Sequence, residues 1–155
     1  MRGIFSRNDK SSRIEDIRRS RADCIKGIKA SHHEMMRLSD PMDRNGWMYD
    51  SENNDAAFAA ICDRAVYFDD PIQYAAFILD YVNAFHPFTD GNKRMSLLLA
   101  KKVLGNDGHL LDDSEEVYTF IMMIAQGRYT QSGIEDWLRE YLTRRACGTL
   151  PDTQP

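Results

Sequence analysis

The sequence predicts an all-α protein, a compact bundle of about six or seven helices with at most one small β-hairpin flap. Three observations carry this. Apolar residues recur at three-to-four spacing through most of the chain. The breaks between those runs are helix caps, built from Asp, Asn, Ser, Pro and Gly. There is a single strong hairpin signal, Asn45-Gly46. At 155 residues, with 43% hydrophobic content and no repeat or low-complexity linker, the chain reads as one domain. We place that domain at 12–146, between a flexible N-terminus (1–11) and a flexible tail (147–155).

In order, Ser11-Ser12 with Glu15 reads as a capping box opening a helix from Arg13 to Leu38. Ile14, Ile17, Cys24, Ile25, Ile28 and Met35 mark its buried face, with Arg13, Arg18, Arg19 and Arg21 on a solvated one. His32 and His33 are adjacent, hence about 100° apart on a helix and a poor metal pair; a structural or surface role follows. Ser39-Asp40-Pro41 ends the helix. Around Asn45-Gly46-Trp47-Met48-Tyr49 the residues leave two readings open, a short hairpin with an edge for an extended peptide or a helix–helix loop with a buried Trp. Asn54-Asp55 caps a helix through Val66. Asp70 and Pro71, as N-cap and first helical residue, open the next, apolar on most faces to Phe85 and therefore central. A helix from Asn92 to Leu104 stops at Gly105-Asn106-Asp107-Gly108. Ser114 caps another over 115–126, and Ser132 with Glu135 opens the last.

Charge and cysteine usage narrow the function classes. A net charge of −4 gives no general drive toward nucleic acid. No apolar run is long enough to span a bilayer, and Met1–Arg7 lacks the apolar core of a signal peptide. Cys24, Cys62 and Cys147 are odd in number and without metal spacing, and read as free thiols in a reducing cytoplasm.

The chemistry concentrates in His86-Pro87-Phe88-Thr89-Asp90-Gly91-Asn92-Lys93-Arg94, between two apolar helices. Asp90-Gly91-Asn92 reads as a helix N-terminus, where unpartnered N–H groups and the helix dipole make a nest for an anion such as phosphate. Gly91 allows a tight curl and close ligand approach. Lys93 and Arg94 add two cations that oppose the dipole, a local cost that an anion would offset. Asp90 at the rim suits Mg²⁺, which takes one or two carboxylates plus phosphates. His86 could accept a proton from an attacking hydroxyl. Pro87 stiffens the loop and Phe88 anchors it. Singly, each residue also has a plain reading: Asp90 an N-cap, His86 a C-cap, Asn92 a turn support, Lys93 and Arg94 surface cations.

This loop resembles the signature motif of the Fic/Doc (Fido) family, and the resemblance spans about residues 40–142. It implies the Fido helical bundle and transfer of a phosphate-containing group, most often AMP from ATP, to a Ser, Thr or Tyr hydroxyl of a target protein. It implies His86 as general base, Asp90 as the Mg²⁺ ligand, Gly91, Asn92, Lys93 and Arg94 as the anion-binding stretch, and Phe88 as the structural aromatic. It also favours the hairpin at Asn45–Tyr49, as a target-docking flap. Two departures matter. Lys93 stands where AMP-transferring members have glycine, and Leu97 where they have a second arginine. Both are similar to the Doc branch, toxins of toxin–antitoxin pairs with kinase-like transfer, although Gly91 is alanine there. An antitoxin and a second copy of the chain therefore join the target as candidate partners, and an inactive nucleotide- or peptide-binding module is the further alternative. The Ser11–Asp16 stretch is the nearest match to the family's self-inhibiting helix, but ends in Asp16 and reads as a cap.

Overall fold

The structure, a computed structural model, describes the backbone of residues 7–39 and 54–148. It contains six helices: α1 (Arg7–Ser39), α2 (Asp55–Arg64), α3 (Pro71–Phe85), α4 (Asn92–Asn106), α5 (Glu115–Ala125) and α6 (Gln131–Ala146). There is no strand among the described residues. The expected flap, Asn45 to Tyr49, lies outside them.

α3 is the central element, as its nearly uniform apolarity requires. Asp70 caps it, its carboxylate accepting from Ile72 N–H, with Pro71 at the first position. One side of α3, with Ile72, Ala75, Ala76 and Leu79, closes a core with α4, α5 and α6. The other, with Phe77, Ile78 and Val82, closes a second core with α1, α2 and Phe88. Alanines at the first contact let α6 approach closely, and Phe120, Trp137 and Tyr141 stack beyond it at 3.7 and 4.8 Å. α3 and α4 are also tied by a buried polar contact: Asn83 donates to Leu79 O at 2.7 Å and to Ser96 Oγ at 2.9 Å. No helix among the described residues is long and apolar enough to cross a membrane.

Several local expectations are corrected. α1 begins at Arg7, so Ser12 and Glu15 lie inside it rather than at its start, and residues 7–11 are helical. Helix extension adds a hydrogen bond per residue, so interior serines do not stop it. Ile17 is exposed; α1 meets α2 through the Arg21–Asp63 ion pair, burial starts at Cys24, and it peaks at Ile28, His32 and Met36. Thr130, not Ser132, caps α6, its hydroxyl accepting from Gly133 N–H at 3.1 Å. Val66 falls in the turn after α2, and Phe85 ends α3 on its solvent side, so both are exposed. The free-thiol expectation also fails. Cys24 and Cys62 form a disulfide with Cα atoms 6.1 Å apart, and Cys147 is the free thiol. Spacing in sequence said nothing of it, because the pair is brought together by α1 lying on α2.

Candidate active site

The loop between α3 and α4 is held from below, backbone group by backbone group. Phe88 is 3% exposed. Its ring lies 4.5 Å from that of His32 on α1 and 5.1 Å from that of Phe58 on α2. Pro87 O accepts from the side-chain amide of Asn54, the residue before α2. Phe88 is gripped at both polar groups: Asn92 Oδ1 accepts its N–H at 3.0 Å, and Asn92 Nδ2 donates to its carbonyl at 2.9 Å. Asp90 O meets His32 Nε2 at 2.9 Å. A buried carbonyl needs such a partner, and here three of them are satisfied by side chains from α1, α4 and the α2 start.

His86 ends α3 with φ +48°, its N–H bonded to Val82 O at 3.1 Å. Among the described residues it is the one non-glycine with positive φ. That conformation costs an L-residue about 1–2 kcal/mol. The tertiary hold on the loop enforces it, and it turns the imidazole outward, where it is exposed.

Gly91 is the N-cap of α4 with φ +80°. It is buried, and a Cβ there would lie 2.7 Å from Met35 Cε and 3.0 Å from Met36 Sδ. The close approach that calls for glycine is thus made by α1. Gly91 N–H donates to Asp90 Oδ1 at 2.7 Å. No side chain caps α4, whereas Asp70, Ser114 and Thr130 cap α3, α5 and α6. Lys93 and Arg94 are exposed on that first turn. Arg94 Nη2 lies 4.0 Å from Asp90 Oδ2 and 3.8 Å from Met36 Sδ.

These residues share one cleft of about 570 Å³. His86, Thr89, Asp90, Gly91, Asn92, Lys93 and Arg94 form one wall. Leu97 on α4 and Tyr118, Ile121, Met122 and Ala125 on α5 form the other, largely apolar one. A base, a carboxylate, two cations and an uncapped helix start therefore face an apolar surface. Such a cleft can take a ligand with an anionic part and a flat apolar part. Asp90 Oδ2 is the oxygen available to a divalent ion. No group of three or more His, Cys, Asp or Glu among the described residues could hold a metal. A cation at Asp90 would complete its shell from phosphates and water, the pattern usual for Mg²⁺.

Of the residues singled out from sequence, the loop set converges on the cleft, except Pro87 and Phe88, which are buried beneath it. The side-chain amide of Asn92 faces the loop backbone rather than the cleft interior. His32, Asn54, Met35 and Met36 were not connected to the loop by any local pattern. His32 carried one usable signal, a titratable side chain in register with the apolar face of α1 through Ile25, Ile28 and Met35–Met36. Burial lowers its pKa below the ordinary histidine value, the bond to Asp90 O opposing only in part.

A family model described as the Fic/DOC family matches residues 13–104, more than half of the chain. The match begins inside α1 and ends inside α4, whereas the loop resemblance spans about 40–142. No curated protein matches the chain.

Proposed function

The chain belongs to the Fic/DOC family, whose domains transfer nucleotide or phosphate groups, and on that premise we propose that it moves AMP from ATP to a Ser, Thr or Tyr hydroxyl of a target protein. The observation that carries this is the convergence of His86, Asp90 and the uncapped, cationic start of α4 on one cleft. His86 takes the proton of the attacking hydroxyl. Its left-handed backbone, enforced by the tertiary hold on the loop, keeps the ring at the cleft mouth. The first turn of α4 with Lys93 and Arg94 binds the phosphates through N–H groups, dipole and charge. Asp90 holds Mg²⁺, which when bound neutralises phosphate charge. The apolar α5 wall with Tyr118 supports the flat base of the nucleotide. Phosphoryl-group chemistry of this kind is mostly positioning and charge stabilisation, which is what the loop is built to supply.

A second reading, Doc-like phosphorylation by a toxin with an antitoxin partner, is favoured by Leu97. It lines the cleft where a second arginine would meet the terminal phosphate, leaving an apolar side chain at that point. ATP labelled at the α or the γ phosphate, incubated with lysate, separates the two. Transfer of α label supports AMP transfer, and γ label alone supports a kinase. Label from neither position points to a binding module or to a target absent from the lysate. His86→Ala should abolish the transfer without changing the melting temperature by more than a few degrees; an unchanged rate would refute the role of the base.

A further inference from the structure

We propose that His32 is a positioning residue for the transfer site: from α1 it sets the Asp90–Gly91 peptide plane and, through that plane, the direction of the Asp90 carboxylate. This rests on the reading of Asp90 as the holder of a divalent ion.

His32 is 2% exposed and its Nε2 lies 2.9 Å from Asp90 O. A carbonyl oxygen can only accept, so the ring donates from Nε2. The stack on Phe88 fixes the ring plane and hence the direction of that N–H. In a trans peptide the C=O and the next N–H point opposite ways. With Asp90 O drawn toward α1, Gly91 N–H is turned toward the cleft side, where Asp90 Oδ1 receives it at 2.7 Å. One carboxylate oxygen is thereby held, and the other, Oδ2, is presented beside Arg94 at 4.0 Å.

The device is needed because Gly91 follows. A glycine admits both signs of φ, so the plane before it is the one in the loop freest to rotate. The other grips act elsewhere: Asn54 on Pro87 O and Asn92 on Phe88 hold the portion under His86. The bond from His32 to Asp90 O crosses 58 residues, from α1 to the loop.

Two substitutions separate the donor from the ring. His32→Phe keeps the stack and removes the N–H; His32→Gln keeps a donor and removes the ring. The readout is ATP affinity by calorimetry, with Mg²⁺ and with EDTA. Wild type should bind tighter with Mg²⁺. His32→Phe should lose about tenfold of that Mg²⁺-dependent gain, a usual cost of removing a supporting partner of a metal ligand, while EDTA affinity stays within about twofold. His32→Gln should recover most of the gain. Equal Mg²⁺ dependence in wild type and His32→Phe overturns the proposal, as does an equal fall in both conditions. A wild type indifferent to Mg²⁺ overturns the reading of Asp90 and the proposal with it. The unmutated chain gives an independent check that needs no folded variant. Its ¹⁵N spectrum should show His32 Nε2 protonated at neutral pH; a bare Nε2 would end the proposal.

Discussion

Gly91→Ala is the substitution whose cost the structure specifies in two separable parts. At φ +80° an L-residue is disfavoured by about 1–2 kcal/mol. The added methyl would also meet Met35 Cε at 2.7 Å and Met36 Sδ at 3.0 Å. Both contacts are side-chain ends, so the methionines swing aside rather than the helices separating. Pushing each off its rotamer costs about 0.5–1.5 kcal/mol. The sum is about 2–5 kcal/mol. Gly108 supplies the internal control: its φ is also +80°, but nothing lies within 4 Å of a Cβ there. Gly108→Ala should therefore lose only the backbone part, about 1–2 kcal/mol. For a domain of this size about 1 kcal/mol corresponds to roughly 2–4 °C in Tm. The assay is urea denaturation and thermal melting of wild type and the two variants side by side. Gly91→Ala should fall below Gly108→Ala by a margin of about 1–3 kcal/mol. Equal losses would refute the packing of α1 under the loop. No loss in either would refute the backbone argument as well.

Phe88→Ala removes a ring buried between His32 and Phe58, and should cost about 3–5 kcal/mol in urea denaturation; a loss under about 1 kcal/mol would show that the loop is not anchored there. The carboxyl of Asp70 is held below its ordinary pKa, first by the hydrogen bond from Arg139. A depressed folded pKa gives stability that is present above the unfolded value of about 3.9 and is lost as pH falls through the folded one. Asp70→Asn keeps the cap acceptor but should flatten this acid limb of a stability-against-pH curve, and parallel curves for the two proteins would contradict it. Closing a loop of separation 38, the Cys24–Cys62 disulfide should contribute roughly 4 kcal/mol. Thiol titration of the unreduced, unfolded chain should find Cys147 alone, and the reduced chain should melt lower. Three reactive thiols without reductant would rule the bond out.

Legibility from sequence followed the range of the interaction. Asp70-Pro71 and Ser114 announce α3 and α5 because a cap is read within three residues of itself. α6 was mis-started by two residues because Thr130 and Ser132 are both competent caps, and the choice depends on where Ile134 and Leu138 must point to reach the core. On α1 the apolar spacing continued through Ile17, but the packing partner, α2, begins to cover the helix only near Cys24. Glycine at 91 and the tight backbone curl it allows were legible. The close contact with two methionines about 55 residues upstream was not.

The sequence by itself determined the helical class, the central place of α3 and the contents of the loop, because periodicity, caps and a nine-residue motif are local properties of the chain. The tertiary structure decided how that loop is held and what it faces. It chose His32 and Asn54 as holders of the Asp90 and Pro87 carbonyls, joined Cys24 to Cys62, and set the apolar face of α5 opposite the uncapped start of α4. Those pairings span from 33 to 58 residues for the loop contacts and depend on which helix faces meet. A helix's own pattern states that a face must be buried; which residue of another helix it meets is fixed only when the bundle packs.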